Sequence, residues 1–285
     1  MGALAGKRGL VMGVANERSI AWGIAKACAE AGADLAFTYQ GEAFGKRLEP
    51  LAQSVGSDIM LDVDVTDDTS LDAAFAALQQ RWGTLDFVIH AIAYSDKAEL
   101  TGRILDTTRA SFIEVARRAH PMMVENGGTL LTLSYMGSTR VTPNYNVMGV
   151  AKAALEASVR YLANDLGPEG IRVNAISPGP MKTLAGSAIG GARKTFKHTD
   201  ANAPLRSNAT LEAVGGTAVY LISDAGAFTT GENVRVDGGF RLSGRWSFSS
   251  GCEHCDWAFL GAIAQAEDPE AKCPPDMRTF LVPKS

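Results

Sequence analysis

The sequence has few of the features that mark a secreted, membrane-bound or nucleic-acid-binding protein. It holds 4 cysteines in 285 residues, too few and too unevenly spaced for a disulfide framework, so a reducing compartment is expected. The N-terminus lacks the apolar segment of a signal peptide, and no apolar run approaches the length of a membrane span. The net charge is −4 without a cluster of basic residues, which argues against nucleic acid as a partner. These absences favour a cytoplasmic protein whose partner is neither nucleic acid nor a membrane.

Hydrophobic residues are plentiful, at 46% of the chain, which is ample for a core. Short β-prone apolar runs alternate with helix-like segments, and this alternation predicts the α/β class. We expect a Rossmann-type doubly wound parallel sheet of about seven strands with helices on both faces. The predicted strands are 9–12, 33–39, 57–63, 85–92, 129–133, 171–176 and 232–236. The first helix-like segment ends near 31, and further helix-like segments cover about 42–55, 70–82, 108–123, 151–166 and 210–223.

A glycine-containing turn follows the first predicted strand. It starts at Gly13, passes Ser19 and reaches Gly23. The free N–H groups and the dipole of a helix that begins at such a turn suit a bound pyrophosphate. The spacing is not G-x-G-x-x-G, however, and taken alone it suits an ordinary strand-to-helix turn equally well.

The segment from Ser134 to Lys152 carries the candidate chemistry. Tyr145 and Lys152 are seven residues apart, which places them on nearly the same face of a helix. The pKa of a free tyrosine is about 10, and a nearby ammonium group is expected to lower it toward the range that is useful for proton transfer. An isolated Tyr and Lys at this spacing would be better explained as residues on the surface of an amphipathic helix. Here the preceding strands and the glycine turn favour a functional site.

These segments together resemble a known family. Residues 13–23, 131–161 and 170–184, with Asp237-Gly238-Gly239, are similar to the NADH-dependent enoyl-acyl-carrier-protein reductases. These enzymes form a divergent branch of the short-chain dehydrogenase/reductase family. The resemblance covers about residues 2–240, and a second tyrosine, Tyr135, ten residues before Tyr145, is the feature that separates this branch.

The resemblance implies an activity and roles for the site residues. It implies reduction of the 2,3 double bond of trans-2-enoyl-acyl-carrier-protein thioesters by NADH in fatty-acid biosynthesis. Tyr135, Tyr145 and Lys152 would be the catalytic residues. Ser95, Tyr135 and Tyr145 would bind the substrate, although Tyr135 would also suit a packing aromatic at a strand end. The partners would be the acyl-carrier-protein thioester and further copies of the chain, as a tetramer.

The resemblance also assigns residues to NADH. Gln40, at the end of the second strand, would meet the adenosine ribose. No basic residue follows before Lys46, which favours NADH over NADPH. The complete set of expected cofactor residues is Gly13, Ser19, Ile20, Gln40, Asp64, Val65, Ile92, Lys152, Met181, Lys182, Thr183, Leu184 and Ala185.

One departure from the family lies in the connection before the fifth strand. The related enzymes carry about a dozen more residues between the positions of Phe112 and Val115, which is about 18 Å of helix. The chain either absorbs this deletion and keeps its topology or loses activity. Two alternatives to the reductase therefore stay open: a catalytically impaired dinucleotide-binding protein, and a short-chain carbonyl reductase with Tyr145 as proton donor.

The second departure is the tail, residues 241–285. This segment resembles a fragment of flavin-dependent monooxygenases with the acyl-CoA dehydrogenase fold, and we expect a foreign, β-prone extension that is partly ordered or disordered. It is too short to form that fold alone. Cys252, His254, Cys255 and Cys273 raise the question of zinc, but the histidine sits awkwardly between two cysteines, and we expect no metal. His90, inside an apolar strand, is expected to be a hydrogen-bonded core residue rather than a catalytic base.

Overall fold

A computed structural model describes residues 2–92, 111–142, 145–183, 192–239, 257–264 and 276–283. The chain divides into two compact units, Met1–Gly239 and Phe240–Ser285. Among the described residues, no helix combines the length and the apolar character that a membrane crossing requires.

A parallel sheet of seven strands forms the centre of the first unit, in the order β3-β2-β1-β4-β5-β6-β7. Both the number of strands and the parallel pairing confirm the predicted Rossmann-type fold. The strands are β1 (Arg8–Met12), β2 (Asp34–Tyr39), β3 (Ile59–Asp62), β4 (Phe87–His90), β5 (Gly128–Leu133), β6 (Ile171–Pro178) and β7 (Asn233–Val236).

Helices connect these strands. They are α1 (Ile20–Glu30), α2 (Glu42–Ser54), α3 (Asp68–Trp82), α4 (Ser111–Met123), α5 (Asn146–Leu166), α6 (Ala192–Asn202) and α7 (Leu211–Ile222). The pattern did not indicate α6, because its residues are mostly polar and Phe196 is its one large apolar residue.

Helix α5 begins five residues earlier than the predicted start at 151, immediately after Tyr145. Its first turn contains β-branched and glycine residues of low helix propensity. Tertiary packing overrides that propensity, since Val147 is buried and Gly149 lies against the carbonyl group of Gly137. The earlier start places Tyr145 at the N-cap of the helix that carries Lys152.

The sheet is covered on both faces, so its strands are apolar without alternation. Side chains of successive strand residues point to opposite faces, and accordingly Val11 joins one hydrophobic cluster while Leu10 joins the other. The first cluster includes residues of α1 and α7, and the second includes residues of α3, α4 and α5.

Helix α4, the element affected by the short connection, packs on the sheet. Its 13 residues include Phe112, Val115 and Ala119, which are buried in the second cluster. Arg118 is mostly buried and forms ion pairs with Asp68 and Asp72 of α3. The described part of the connection therefore keeps the topology of the sheet. Residues 108–110 of the predicted helix lie outside the described residues.

The second unit contains an antiparallel pair of strands, β8 (Trp257–Ala264) and β9 (Asp276–Pro283). Their register pairs Trp257 with Pro283 and Ala264 with Asp276. This pairing agrees with the expected β-prone character, while the resemblance to a monooxygenase fragment stays a prediction. The four residues that raised the question of zinc, Cys252, His254, Cys255 and Cys273, lie outside the described residues.

Candidate active site

The expected site residues follow the carboxyl ends of the strands. Because parallel strands end at the same edge, the loops after β1, β2, β3, β4, β5 and β6 lie along one side of the sheet. The strand order reverses between β1 and β4, which are neighbours in the sheet. A crevice at such a point is where open α/β sheets bind their ligands.

Gly13 brings the end of β1 close to the end of β4. Its φ of +99° lies in the region that favours glycine. A Cβ atom at this position would lie 2.3 Å from the carbonyl oxygen of Ala91. The backbone at the centre of the crevice is therefore packed at a distance that only glycine allows.

Ser19 closes the turn that follows Gly13. Its Oγ accepts hydrogen bonds from the backbone N–H groups of Ala15 and Asn16, each at 3.0 Å. Since a hydroxyl group has one donor hydrogen besides its two lone pairs, Ser19 can still donate to a phosphate oxygen. Ile20 is the first residue of α1, so its N–H has no acceptor within the helix. The turn thus offers donors to an anion.

The opposite end of the crevice, after β2 and β3, is acidic. The side chain of Gln40 hydrogen-bonds to Asp64, and Thr66 donates to Asp64 from both its hydroxyl and its backbone N–H. These bonds, first among them that of the Thr66 side chain, lower the pKa of Asp64 and keep it ionised. Asp62 accepts from the N–H of Gly41 at 2.9 Å. Two carboxylates therefore lie beside Gln40. Val65 follows Asp64 and packs against the second cluster.

The two tyrosines meet after β5. The rings of Tyr135 and Tyr145 lie 5.1 Å apart at an angle of 60°, a favourable tilted arrangement. Tyr145 is buried, and a Cβ atom on Gly137 would lie 2.4 Å from its ring. The absence of a side chain at Gly137 therefore makes room for the Tyr145 ring.

The expectation that the pKa of Tyr145 is lowered is wrong for this structure. Burial raises the pKa of Tyr145, and Tyr135 adds to the effect. Burial also raises the pKa of Tyr135. The loss of water around both hydroxyl groups disfavours the charged phenolate form. Both tyrosines are therefore protonated donors at neutral pH.

Lys152 is attached to the end of β5. Its Nζ donates a hydrogen bond of 2.8 Å to the carbonyl oxygen of Leu133. Burial lowers the pKa of Lys152 to about 8, while the charge of Glu156 acts in the opposite direction. Lys152 is thus mostly a cation at neutral pH, but its pKa lies within one or two units of neutrality.

His90 is a buried, hydrogen-bonded residue at the end of β4. Its Nε2 lies 3.0 Å from the hydroxyl of Ser111, and Thr132 donates to its backbone oxygen at 3.0 Å. Burial, followed by the charge of Lys152, lowers the pKa of His90 to about 3. The ring is therefore neutral, as expected for a core imidazole.

The loop after β6 also lies at the side of the sheet where the expected site residues are found. Met181 is buried, Lys182 is exposed, and the N–H of Thr183 bonds back to the oxygen of Met181 at 2.8 Å. These residues line a cavity of about 780 Å³ together with Arg18 and residues of α6. Leu184, Ala185 and Ser95, which were expected at the site, lie outside the described residues, whereas Ile92 directly follows Ala91 at the end of β4.

One buried carboxylate at the site, Glu156, carries no motif that marks it in the sequence. Its Oε1 accepts hydrogen bonds from Ser134, Ser138 and Asn233. The only signal that could have indicated it is its spacing of four residues from Lys152, which places both on one helix face.

Comparison with known proteins relates this geometry to a family. Residues 13–241 match the family model described as "Enoyl-(Acyl carrier protein) reductase". An enoyl-[acyl-carrier-protein] reductase [NADH] of Rhizobium meliloti is 58% identical over 253 residues, which cover 85% of this chain and 94% of the relative. A relative of the same name from Bacillus cereus is 48% identical and is covered over its full length, against 86% of this chain.

Solved structures show the same fold. The enoyl-(acyl-carrier-protein) reductase of Anaplasma phagocytophilum in complex with NAD is 50% identical, with a TM-score of 0.78 over 86% of this chain and 98% of that chain. The Bacillus cereus enoyl-acyl carrier protein reductase with NADP+ and indole naphthyridinone is 47% identical. Its TM-score is 0.81 over 86% of this chain and 100% of that chain.

Proposed function

Because the chain belongs to the enoyl-(acyl carrier protein) reductase family, we propose that it reduces the 2,3 double bond of trans-2-enoyl-acyl-carrier-protein thioesters with NADH, in fatty-acid biosynthesis. The names of its relatives support the reaction and the cofactor. The single observation that carries the assignment of residues is the contact between the rings of Tyr135 and the buried Tyr145, at the end of β5 to which Lys152 is hydrogen-bonded.

The residues at the sheet edge fit a dinucleotide. Gly13 allows the turn after β1 to pack against the backbone that follows β4, and Ser19 and Ile20 in this turn offer donors to the phosphates. Gln40 would meet the adenosine ribose, and Asp64 and Val65 the adenine. Ile92 would contact the cofactor where it crosses the sheet, and Met181, Lys182, Thr183, Leu184 and Ala185 would cover the nicotinamide and phosphate. When bound, NADH supplies a hydride to the β-carbon of the enoyl thioester.

Tyr145 acts on the other end of the reacting system, the thioester carbonyl oxygen, where negative charge develops. A donor directed at this oxygen stabilises the transition state more than the substrate, and this difference accelerates the reaction. The raised pKa of Tyr145 keeps its hydroxyl protonated, as a donor must be. Lys152 adds positive charge and holds the nicotinamide ribose. Tyr135 and Ser95 would contact the substrate.

The acidic surroundings of Gln40 favour NADH over NADPH. Asp62 and Asp64 lie beside it and would repel a 2′-phosphate. Lys46, the next basic residue, forms an ion pair with Glu42 on the exposed side of α2. An arginine or lysine that could pair with a 2′-phosphate is therefore not supplied by residues 40–45.

The proposal extends to the partners and to the two units. We place the reaction in the cytoplasm, with acyl-carrier protein as the carrier of the substrate and a tetramer of this chain as the assembly. We also treat residues 1–240 as the reductase domain and residues 241–285 as a separate extension. The match of the family model to residues 13–241 supports this boundary. Analytical ultracentrifugation measures the assembly, and a monomer would contradict that part.

The first test is turnover. NADH oxidation is followed at 340 nm with 2-enoyl thioesters, for the wild type and for Tyr145→Phe and Lys152→Ala. We expect Tyr145→Phe to lower kcat by about a hundredfold or more, because one transition-state donor is removed. We expect Lys152→Ala to weaken NADH binding as well as kcat.

Two results would contradict the proposal. A wild-type protein that binds NADH but turns over no enoyl thioester is a catalytically impaired binding protein. Equal turnover by wild type and Tyr145→Phe would show that Tyr145 is not the donor to the thioester oxygen. Asp165→Asn, an exposed change at the end of the same helix, serves as the control.

A further inference from the structure

We propose that Glu156 is a positioning residue of this active site, which clamps the Tyr135 loop to α5 and acts on Lys152. The inference rests on the proposed function, since it takes Tyr135, Tyr145 and Lys152 as the reacting groups. Glu156 is 8% exposed, and carboxylates are rarely buried to this degree unless they are well partnered.

A single oxygen of Glu156 holds both sides of Tyr135. Its Oε1 accepts from the hydroxyl of Ser134 at 2.5 Å and from that of Ser138. Ser134 directly precedes Tyr135, and Ser138 lies in the 3-10 turn that directly follows it. The position of the Tyr135 backbone therefore depends on one carboxylate oxygen of α5.

The same oxygen also reaches the neighbouring strand. Asn233, the first residue of β7, donates to it from Nδ2 at 2.7 Å. Glu156 thus connects the end of β5, the helix α5 and the start of β7. An oxygen with three donors is best satisfied as a carboxylate, because hydrogen bonds to a charged acceptor are the stronger ones.

Lys152 and Glu156 act together on the end of β5. They lie four residues apart on α5, at neighbouring positions on the helix surface. Lys152 binds the oxygen of Leu133, and Glu156 binds the side chain of the next residue, Ser134. The two residues therefore fix α5, and with it Tyr145 at its N-cap, to the strand from which Tyr135 extends.

Glu156 is also the charge that opposes the desolvation of Lys152. The titratable groups that interact with Lys152 are Glu156 on its own helix and His90 from β4, while Tyr135 and Tyr145 lie after the same strand, β5. His90 is neutral, and the raised pKa values of both tyrosines keep them neutral. Without the charge of Glu156, the pKa of Lys152 would fall below its value of about 8.

The experiment separates the effect of the Glu156 charge from the effect of its hydrogen bonds to Ser134 and Ser138. Glu156→Gln keeps the shape and removes the charge. The pKa of Lys152 is measured by NMR of lysine labelled with 13C at Cε, with the signal assigned by its loss in Lys152→Met. We expect a decrease on the order of one unit in the glutamine variant. The alkaline limb of kcat/KM for enoyl-thioester reduction is expected to move to lower pH by the same amount.

Glu156→Asp tests the clamp, because it keeps the charge but shortens the reach to Ser134 and Ser138. We expect kcat to fall about tenfold or more, from misplacement of the tyrosines, with the alkaline limb near its wild-type position. Asp165→Asn should change neither quantity. If the glutamine variant does not fold, the aspartate variant still decides the clamp.

Two outcomes would overturn the inference. One is a folded glutamine variant whose Lys152 titrates as in the wild type. The other is an aspartate variant with wild-type kcat. A wild-type protein without turnover would refute the proposed function instead, and the NMR titration, which needs no substrate, would still decide the effect on Lys152.

Discussion

The two halves of the site are built in different ways. After β1, β2 and β3, the ligand-facing groups are largely backbone N–H groups, small hydroxyls and exposed polar residues. After β4 and β5, they are titratable side chains, Tyr145, Lys152 and His90, whose pKa values are all shifted by burial.

This difference follows from the tasks of the two halves. A cofactor phosphate needs donors at fixed positions, and main-chain groups supply them with little dependence on side chains. Charge that develops on a reacting oxygen needs a donor in a place from which water is excluded. We therefore expect the first half to lose function when a glycine is substituted, and the second half when a single polar atom is removed.

The largest effect that would sharpen this comparison is expected at Gly13. Gly13→Ala forces a positive φ on alanine and places Cβ 2.3 Å from the oxygen of Ala91. We expect NADH affinity, measured by fluorescence titration, to fall at least about a hundredfold, with a loss of stability of about 2 kcal/mol or more. In Gly56→Ala, which has a similar φ of +75° but open space around it, stability should fall less and NADH binding should stay. Equal NADH binding by wild type and Gly13→Ala would contradict the close approach.

The matching glycine of the second half is Gly137. Gly137→Ala places Cβ 2.4 Å from the Tyr145 ring and displaces it. We expect kcat to fall between about tenfold and a hundredfold, with NADH affinity nearly unchanged, because a displacement of about 1 Å can cost that much. Gly216→Ala, on α7 with no atom near its Cβ, is the control. A change in NADH binding alone would show that the two halves are not separate.

The smallest effect is expected at Gln40. Gln40→Arg supplies a planar cation that pairs with a 2′-phosphate, so the ratio of kcat/KM with NADPH to that with NADH should rise about tenfold. The neighbouring carboxylates, Asp62 and Asp64, limit the gain. The same change at Gln53, exposed on α2, should leave the ratio as it is. An unchanged ratio in Gln40→Arg would exclude Gln40 as the position that selects the cofactor.

The fold was largely predictable from the pattern of apolar runs. Each of the seven predicted strands of the sheet overlaps an observed strand, because buried parallel strands read as short apolar runs between turns. The start of α5 and the presence of α6 were not predictable in this way. Val147 and Gly149 favour helix there only through contacts with residues outside the helix, and α6 is mostly polar, with Phe196 as its one large apolar residue.

The sequence by itself determined the succession of strand-like and helix-like segments, the glycine at the centre of the crevice, and the spacing of Tyr135, Tyr145 and Lys152. These are local properties of composition and period, and they survive without knowledge of the neighbours. Only the tertiary structure decided the protonation of the site and the place of Glu156. Burial reverses the expected shift of the Tyr145 pKa, and the three donors to Glu156 come from the residue after β5, the 3-10 turn that follows it and β7. Desolvation and long-range hydrogen bonds depend on which residues the fold brings together, and a single sequence does not contain that information in its spacing.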